Sequence, residues 1–177
     1  MRALKKIMAA LALTAVLAGC SADNILSSIQ GGKADTVQTV SRPAVESAEL
    51  QFTHPAAGDT IAVFSPSSPA TATAAARYRR GKEYLEAKGF RFLEGSLTGR
   101  RDFYRSGTIR ERAEEFNALV RDPNVRCIMA AIGGNNSNSL LPYLEYEGLC
   151  KDPKIIVGYS DVTALLLGIY AQTGLTT

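Results

Sequence analysis

Strand-like and helix-like hydrophobic patterns alternate along the chain from Gly58 onward. Short, continuous apolar runs are typical of strands that are covered on both faces, and apolar residues that recur every three or four positions are typical of helices. The predicted strands are 60–64, 90–93, 127–132 and 155–157, and the predicted helices are 71–88, 109–121, 137–146 and 162–172. Thr108 and Glu111 predict a capping box at the start of the second helix. Four successive strand-helix units predict an α/β domain over residues 58–177 with a doubly wound, mostly parallel sheet.

The third predicted strand, residues 127–132, ends at two successive glycines and leads into a polar, asparagine-rich segment. Glycine and asparagine adopt turn conformations easily, so this pattern predicts a tight bend between the strand and the next helix. Ser137 would then project from the carboxyl end of the sheet in the geometry of a nucleophile elbow, although the spelling differs from Gly-x-Ser-x-Gly. In acyl transfer, the backbone N–H groups of Asn138 and Gly134 would form the oxyanion hole. The alternative is that Asn136 or Ser137 only caps the helix.

Polar loops follow three strands of the predicted sheet, at 65–68, 133–139 and 158–161. Open α/β sheets bind ligands outside the carboxyl ends of their strands, so these loops predict the position of the substrate site. The candidate substrate-binding residues are Ser65, Asn136, Ser160 and Asp161. For Asp161, a role as an acid or an orienting group competes with a role as the cap of the helix that follows it.

No general base for Ser137 is evident in the sequence. The one histidine, His54, falls in a predicted linker, where we expect a solvated side chain. Arg100, Arg101 and Arg105 fall in a polar loop, where solvated arginines are the favoured interpretation. The alternative for these three arginines is that they hold a substrate carboxylate.

The N-terminal segment has the pattern of a bacterial lipoprotein signal. Basic residues precede an apolar run at 7–17, and small residues lead from that run to Cys20. The run is shorter than the roughly 20 apolar residues that a transmembrane helix needs. We therefore expect a signal peptide at 1–19, a lipidated Cys20, a flexible linker at 20–57 and a location in the cell envelope, anchored to a membrane. The alternative is an ordinary secretory signal in which the cysteine is incidental.

Charge and cysteine content exclude several classes of function. Without the predicted signal, the chain has 17 basic and 17 acidic residues, which leaves no electrostatic footprint for nucleic acid. No spacing of Cys, His, Asp and Glu suggests a metal site, and we expect no cofactor. Cys127 and Cys150 are expected to be buried, inert thiols, with a disulfide between them as the less favoured alternative.

Three ordered segments carry a further signal: Ile61-Ala-Val-Phe-Ser-Pro-Ser-Ser-Pro69, Gly133-Gly-Asn-Asn-Ser-Asn-Ser-Leu-Leu-Pro-Tyr143 and Ile155-Ile-Val-Gly-Tyr-Ser-Asp-Val-Thr-Ala164. Together they resemble the LD-carboxypeptidase family of serine peptidases, over about residues 58–177. The Gly-Gly-x-Asn-Ser-Asn spelling is closest to the branch of that family that includes the microcin C immunity protein.

The resemblance implies a flavodoxin-like fold in which Ser137 is the nucleophile. It implies cofactor-free hydrolysis of an amide near a free carboxylate, through an acyl-enzyme. It also implies that the family's glutamate and histidine belong to a C-terminal domain, which we do not expect within these 177 residues. The predicted export signal favours murein peptides as the substrate. A peptidyl-nucleotide antibiotic is the alternative substrate. The alternative class is a ligand-binding lipoprotein that lost the catalytic triad. The oligomeric state is left open, with a homodimer as one alternative.

Overall fold

The structure is a computed structural model that describes residues 55–177. The predicted signal peptide at 1–19, the predicted lipidation site Cys20, His54 and nearly all of the predicted linker at 20–57 lie outside the described residues. Within the described part of the chain, no helix combines the length and apolar character needed to cross a membrane.

Strands and helices alternate through the described chain. The strands are β1 (Thr60–Phe64), β2 (Arg91–Glu94), β3 (Val125–Ala130) and β4 (Ile155–Val157). The α-helices are α1 (Ala70–Thr73), α2 (Ala75–Ala87), α3 (Ile109–Arg121), α4 (Tyr146–Lys151) and α5 (Thr163–Thr173). Two 3-10 helices span Ser137–Tyr143, which we call the elbow helix, and Ser160–Val162.

The four strands form one parallel sheet in the order β2-β1-β3-β4. This order confirms the predicted doubly wound α/β fold. Because the strands are parallel, their carboxyl ends lie at the same edge of the sheet, and the loops that follow β1, β3 and β4 meet there. That edge is where the sequence places its candidate site.

Helices cover both faces of this sheet. On one face, Phe64 and Ile128 belong to an apolar core with side chains from α3, α4 and α5. The rings of Phe64 and Phe116 lie 5.3 Å apart in this core. On the other face, α2 packs on β2, where the ring of Tyr78 meets the edge of Phe92 at 6.0 Å. Burial of the first face holds α3 and the elbow helix against the sheet, because removing apolar surface from water is the main stabilising contribution.

Two predicted helices differ from the observed ones. The helix predicted at 71–88 is interrupted at Ala74, which has φ −128° and ψ 40°. The segment predicted as helical to residue 146 is a 3-10 helix that contains Pro142 and ends at Tyr143, and a separate α-helix follows it. Proline has no N–H to donate, so a continuous α-helix would lose a backbone hydrogen bond at this position.

The capping box of α3 is present as predicted. The hydroxyl of Thr108 accepts the N–H of Glu111 at 3.3 Å, and the carboxylate of Glu111 accepts the N–H of Thr108 at 2.9 Å. This helix also has the bounds expected from its hydrophobic period.

Candidate active site

The bend after β3 depends on a close approach between two loops. A Cβ atom placed at Gly134 would lie 2.2 Å from the hydroxyl oxygen of Ser67, so only glycine fits beside the loop that follows β1. The chain turns there, and the elbow helix begins at Ser137. The strand-bend-helix geometry that the sequence predicts around Ser137 is therefore present.

Ser137 is buried at this bend. Its hydroxyl donates a hydrogen bond to the backbone carbonyl of Asp161 at 2.7 Å. Its N–H donates to the carboxylate of Asp161 at 3.0 Å. The sequence predicts that Ser137 projects from the carboxyl end of the sheet. In the structure, its side chain is instead enclosed by the loop that follows β4.

Asp161 binds the elbow instead of its own helix. Its carboxylate accepts the N–H groups of Asn136, at 3.1 Å, and of Ser137, at 3.0 Å. The helix after Asp161, α5, begins without a side-chain cap, so the predicted capping of that helix is wrong. The carboxylate instead satisfies free N–H groups at the start of the elbow helix, where a negative charge is favoured. The neighbouring residue, Ser160, is exposed.

Ser67 connects the first loop to the elbow, and the sequence analysis did not select it. Its hydroxyl accepts the N–H of Asn135 at 3.2 Å and donates to the side-chain oxygen of Asn136 at 3.0 Å. Asn136 begins the elbow helix without making a side-chain cap hydrogen bond. The residue that was selected in this loop, Ser65, is buried, and its hydroxyl has no hydrogen-bond partner among residues 55–177. Because of that burial, Ser65 is held in the loop rather than presented to a ligand.

Two buried charged residues of α3, Arg112 and Glu115, form hydrogen bonds with these loops. Arg112 donates to the carbonyl of Pro66, to the carbonyl of Gly107 at 3.0 Å and to the side-chain oxygen of Asn136 at 2.8 Å. Burial lowers the pKa of Arg112 from its ordinary value. The guanidinium therefore joins three loops at the sheet edge.

Glu115, one turn further along α3, accepts two backbone N–H groups. These come from Ser65 and Leu97, each at 2.8 Å. Burial raises the pKa of Glu115, although both hydrogen bonds act in the opposite direction. The sequence analysis missed both charged residues. The signal was their position in α3: Arg112 lies four residues before Phe116, and Glu115 lies four residues before Leu119, so each shares a helix face with a buried apolar residue.

The remaining candidates lie around this centre. Gly134 and Asn138, whose N–H groups are the proposed oxyanion hole, are both exposed at the bend. The predicted arginine cluster is held by local contacts, as favoured for a solvated loop. Arg100 pairs with Glu111 at 3.0 Å, Arg105 pairs with Asp102 at 2.7 Å and Arg101 donates to the carbonyl of Phe103 at 3.0 Å.

The two cysteines within the described residues are free thiols, so they are not joined by a disulfide. Cys127 is buried as expected, and burial raises its thiol pKa to about 11. Cys150 is exposed, which corrects the expectation that both would be buried. Among residues 55–177, no group of three or more His, Cys, Asp or Glu side chains is arranged to hold a metal ion.

A cavity of about 230 Å³ lies beneath α2, on the opposite face of the sheet from the elbow helix. Its lining includes Val63, Tyr78, Leu85, Phe92 and Met129. Ser137 does not line it, whereas Ile132, directly before the bend, and Tyr159, in the loop that follows β4, do.

Comparison with known proteins gives consistent matches over this domain. A family model described as the LD-carboxypeptidase N-terminal domain matches residues 61–177. A Vibrio cholerae protein named "Putative carboxypeptidase" is 74% identical over 68% of this chain and 36% of its own. The Microcin C7 self-immunity protein MccF of Escherichia coli is 63% identical over 69% of this chain and 36% of its own.

Solved structures give the same match. Wild-type MccF without ligand superposes with a TM-score of 0.68 at 63% identity, over 68% of this chain and 36% of that structure. An MccF-like protein from Bacillus anthracis gives a TM-score of 0.66 at 37% identity, over 70% and 37% of the two chains. The chain thus spans little more than a third of the length of these relatives.

Proposed function

Since the chain belongs to the LD-carboxypeptidase family, a family of peptidases, we propose that it is the nucleophile-bearing N-terminal part of a serine-type carboxypeptidase. The reaction is hydrolysis of an amide bond close to a free carboxylate. The observation that carries this proposal is the position of Ser137, at a strand-to-helix bend on the carboxyl edge of a parallel sheet.

In this proposal, the Ser137 hydroxyl attacks the scissile carbonyl and forms an acyl-enzyme, which water then hydrolyses. The N–H groups of Asn138 and Gly134, both at exposed positions of the bend, stabilise the developing oxyanion. The buried guanidinium of Arg112 lies behind Asn136 and keeps the bend in place. A serine also needs a base to take its proton, and we assign that group to the part of the relatives that this chain does not span.

Peptides of murein are the substrates we propose. Support comes from a probable murein peptide carboxypeptidase of Bacillus subtilis, which is 30% identical over 68% of this chain. The predicted export signal gives a second reason, because an exported hydrolase would meet murein rather than a cytosolic compound.

Aminoacyl nucleotides are the second candidate substrates. The higher identity to MccF, 63%, supports them, and MccF has been solved with glutamyl sulfamoyl guanosine and with aspartyl sulfamoyl adenosine. The two candidates share an amide or acyl linkage but differ in the group on its far side, a further amino acid in one and a nucleoside in the other. Hydrolysis of an L,D-linked murein tetrapeptide and of an aminoacyl sulfamoyl nucleotide, measured side by side at equal concentration, separates them. The faster substrate by kcat/KM is the preferred class.

The central test is Ser137→Ala in the protein that carries the complete reading frame. Loss of a nucleophile typically lowers kcat by about four to six powers of ten, so hydrolysis of either substrate should fall to background. Ser96→Ala, at an exposed loop serine, is the matched control and should retain wild-type kcat. A fluorophosphonate should also label wild-type protein at Ser137. Activity of Ser137→Ala within tenfold of wild type contradicts the proposal, and an inert Ser137 in an otherwise folded full-length protein supports the rival ligand-binding class.

We further propose that Cys20 is lipidated and that the protein is held at a membrane in the cell envelope. The sequence before Cys20 supports this, and stable anchoring takes more than one acyl chain. Growth with labelled palmitate should place label on wild-type protein and none on Cys20→Ala, which should leave the membrane fraction. Equal label and equal membrane retention in the variant would contradict lipidation.

A further inference from the structure

The outer surface of α2 carries a line of basic residues around one tyrosine. Arg77, Arg80, Tyr84 and Lys88 follow one another at intervals of three and four residues, so they lie along one side of the helix. All four are exposed, and Tyr84 has an exposed fraction of 62%. The ammonium of Lys88 lies 5.4 Å from the centre of the Tyr84 ring. We call these four residues the basic stripe.

The positive charge of the basic stripe is not neutralised by its neighbours. Within residues 55–177, none of its three cations forms an ion pair with a carboxylate. Glu83 and Glu86, the acidic residues of α2, lie roughly 100° and 165° around the helix from the centre of the stripe, at 3.6 residues per turn. An exposed row of three unpaired cations fits a partner that presents many anionic groups in one surface.

The predicted linker joins the domain beside one end of this stripe. The N–H of Gly58 donates to the carbonyl of Gly89 at 2.8 Å. A Cβ atom placed at Gly89 would lie 3.1 Å from the Cβ atom of Ala57. The chain therefore enters the domain one residue from Lys88, just before β1 begins. This entry point is at the amino edge of the sheet, opposite the loops of the candidate site.

A domain tethered at this point stays close to the membrane in the proposed lipoprotein. A flexible chain as long as the predicted linker, 20–57, has an average end-to-end distance of roughly 35 Å. Such a tether makes weak surface contacts effective, because binding becomes an intramolecular event. An acyl chain combined with a basic patch also holds a protein at a membrane more stably than a single acyl chain does.

We propose that the basic stripe is a second membrane contact, which lies against the headgroups of anionic phospholipids and orients the domain. Its three cations contact the lipid phosphates, and the ring of Tyr84 lies at the interface between apolar and aqueous regions. Helix α5 packs on the opposite face of the sheet and remains in water. The proposal extends the proposed anchoring at Cys20 and is independent of the hydrolytic reaction.

Sedimentation with vesicles tests the stripe on the processed chain, residues 20–177, with Cys20→Ser so that no acyl group is attached. At low salt this chain should bind phosphatidylglycerol vesicles and leave phosphatidylcholine vesicles unbound. Arg80→Gln should weaken binding about fivefold and Arg80→Glu at least about tenfold, because a basic residue close to an anionic membrane strengthens binding and a carboxylate is repelled. Arg79→Glu is the matched control. Arg79 is an exposed neighbour roughly 145° from the stripe, so binding should weaken less than about threefold.

Tryptophan fluorescence tests the orientation of the bound domain. The 177 residues contain no tryptophan, so a single introduced one reports its own surroundings. Tyr84→Trp should shift to shorter emission wavelength on binding and should be quenched by brominated phosphatidylglycerol. Tyr170→Trp, at a position of α5 that is 51% exposed, should show neither change.

Four results would overturn the proposal. They are no binding of the Cys20→Ser chain to anionic vesicles, equal binding of Arg80→Glu and Arg79→Glu, equal quenching of the two tryptophans, and Arg80-dependent sedimentation with purified murein alone. The last result would assign the stripe to murein. Unfolding midpoints of the exposed-site variants within about 2 °C of wild type establish that they are folded. Because the tested chain has no acyl group, failure of palmitate labelling would remove the lipid anchor and leave these results unchanged.

Discussion

Arg112 joins three loops of the site through a single side chain. It is buried, and among the described residues no carboxylate lies within ion-pair distance of it. Its partners are backbone carbonyls and the Asn136 side chain, which are neutral acceptors fixed by the fold. A buried cation in this setting is costly to lose, because its removal leaves several acceptors unsatisfied.

We predict that Arg112→Met lowers the free energy of unfolding by about 2–4 kcal/mol, since buried acceptors would be left without donors. Arg112→Lys should recover part of this loss, because an ammonium reaches fewer of the acceptors. Urea unfolding at neutral pH measures the change. Arg110→Met is the control: Arg110 is exposed and stacks on the ring of Tyr143 at 4.9 Å, so its loss should cost under about 1 kcal/mol. Equal effects of the two methionine variants would contradict the role of Arg112.

The sequence predicts only some of the individual residues that form the site. Ser137 and Asp161 were selected because glycine, asparagine and a strand end mark their loops. Ser67, Arg112 and Glu115 were not, because their partners lie far along the chain: Arg112 contacts Pro66, and Glu115 contacts Ser65. A charged residue within an amphipathic helix is usually solvated, and its burial depends on packing that the local pattern does not specify.

At the scale of elements, α3 was the best predicted part of the fold. Its capping box and its hydrophobic period are both local, so its bounds follow from neighbouring residues. The elbow helix was less well predicted, since Pro142 and the contacts of Asp161 impose a short 3-10 helix. The break at Ala74 lies in an alanine-rich run whose composition gives no sign of it.

The capping box makes the stability of α3 depend on pH. Hydrogen bonds from the backbone and hydroxyl of Thr108, with a further contribution from Arg100, lower the pKa of Glu111 from 4.5 to about 2. A lowered folded-state pKa contributes stability that is present above about pH 4.5 and is lost as pH falls toward 2. We predict that Glu111→Gln reduces the loss of stability between these two pH values.

Thermal unfolding measured from pH 6 down to about pH 2.5 tests the prediction. Glu83→Gln, on the exposed surface of α2 and remote from the capping box, is the control and should follow the wild-type profile. A Glu111→Gln profile with the wild-type slope would show that the capping box does not carry the acid sensitivity.

For the whole molecule, alternation of strands and helices was enough to predict a parallel, doubly wound sheet, because each crossover between parallel strands needs a helix. The distribution of the helices over the two faces was not predicted. It depends on which side of each strand is more apolar, and strands covered on both sides carry little such contrast.

We predict that the 177-residue chain alone hydrolyses neither candidate substrate, because its one histidine precedes the described domain and the Ser137 hydroxyl is directed to a carbonyl. Release of product from an L,D-linked murein tetrapeptide, compared with the Ser137→Ala chain, is the measurement. Rapid turnover that requires Ser137 would reveal a base within the chain, and His54→Ala is then the next variant to assay.

The position of β1 in the middle of the sheet has a consequence for the chain while it is being made. Thr60 pairs with Val125, so after β1 leaves the ribosome it lacks one of its two neighbours until β3 follows. At a synthesis rate of about 5–20 residues per second, that interval lasts several seconds. The apolar strand Thr60–Phe64, wholly buried in the finished sheet, is exposed throughout. During this interval a chaperone has an unfolded strand to bind, and the later synthesis of β3 ends that opportunity.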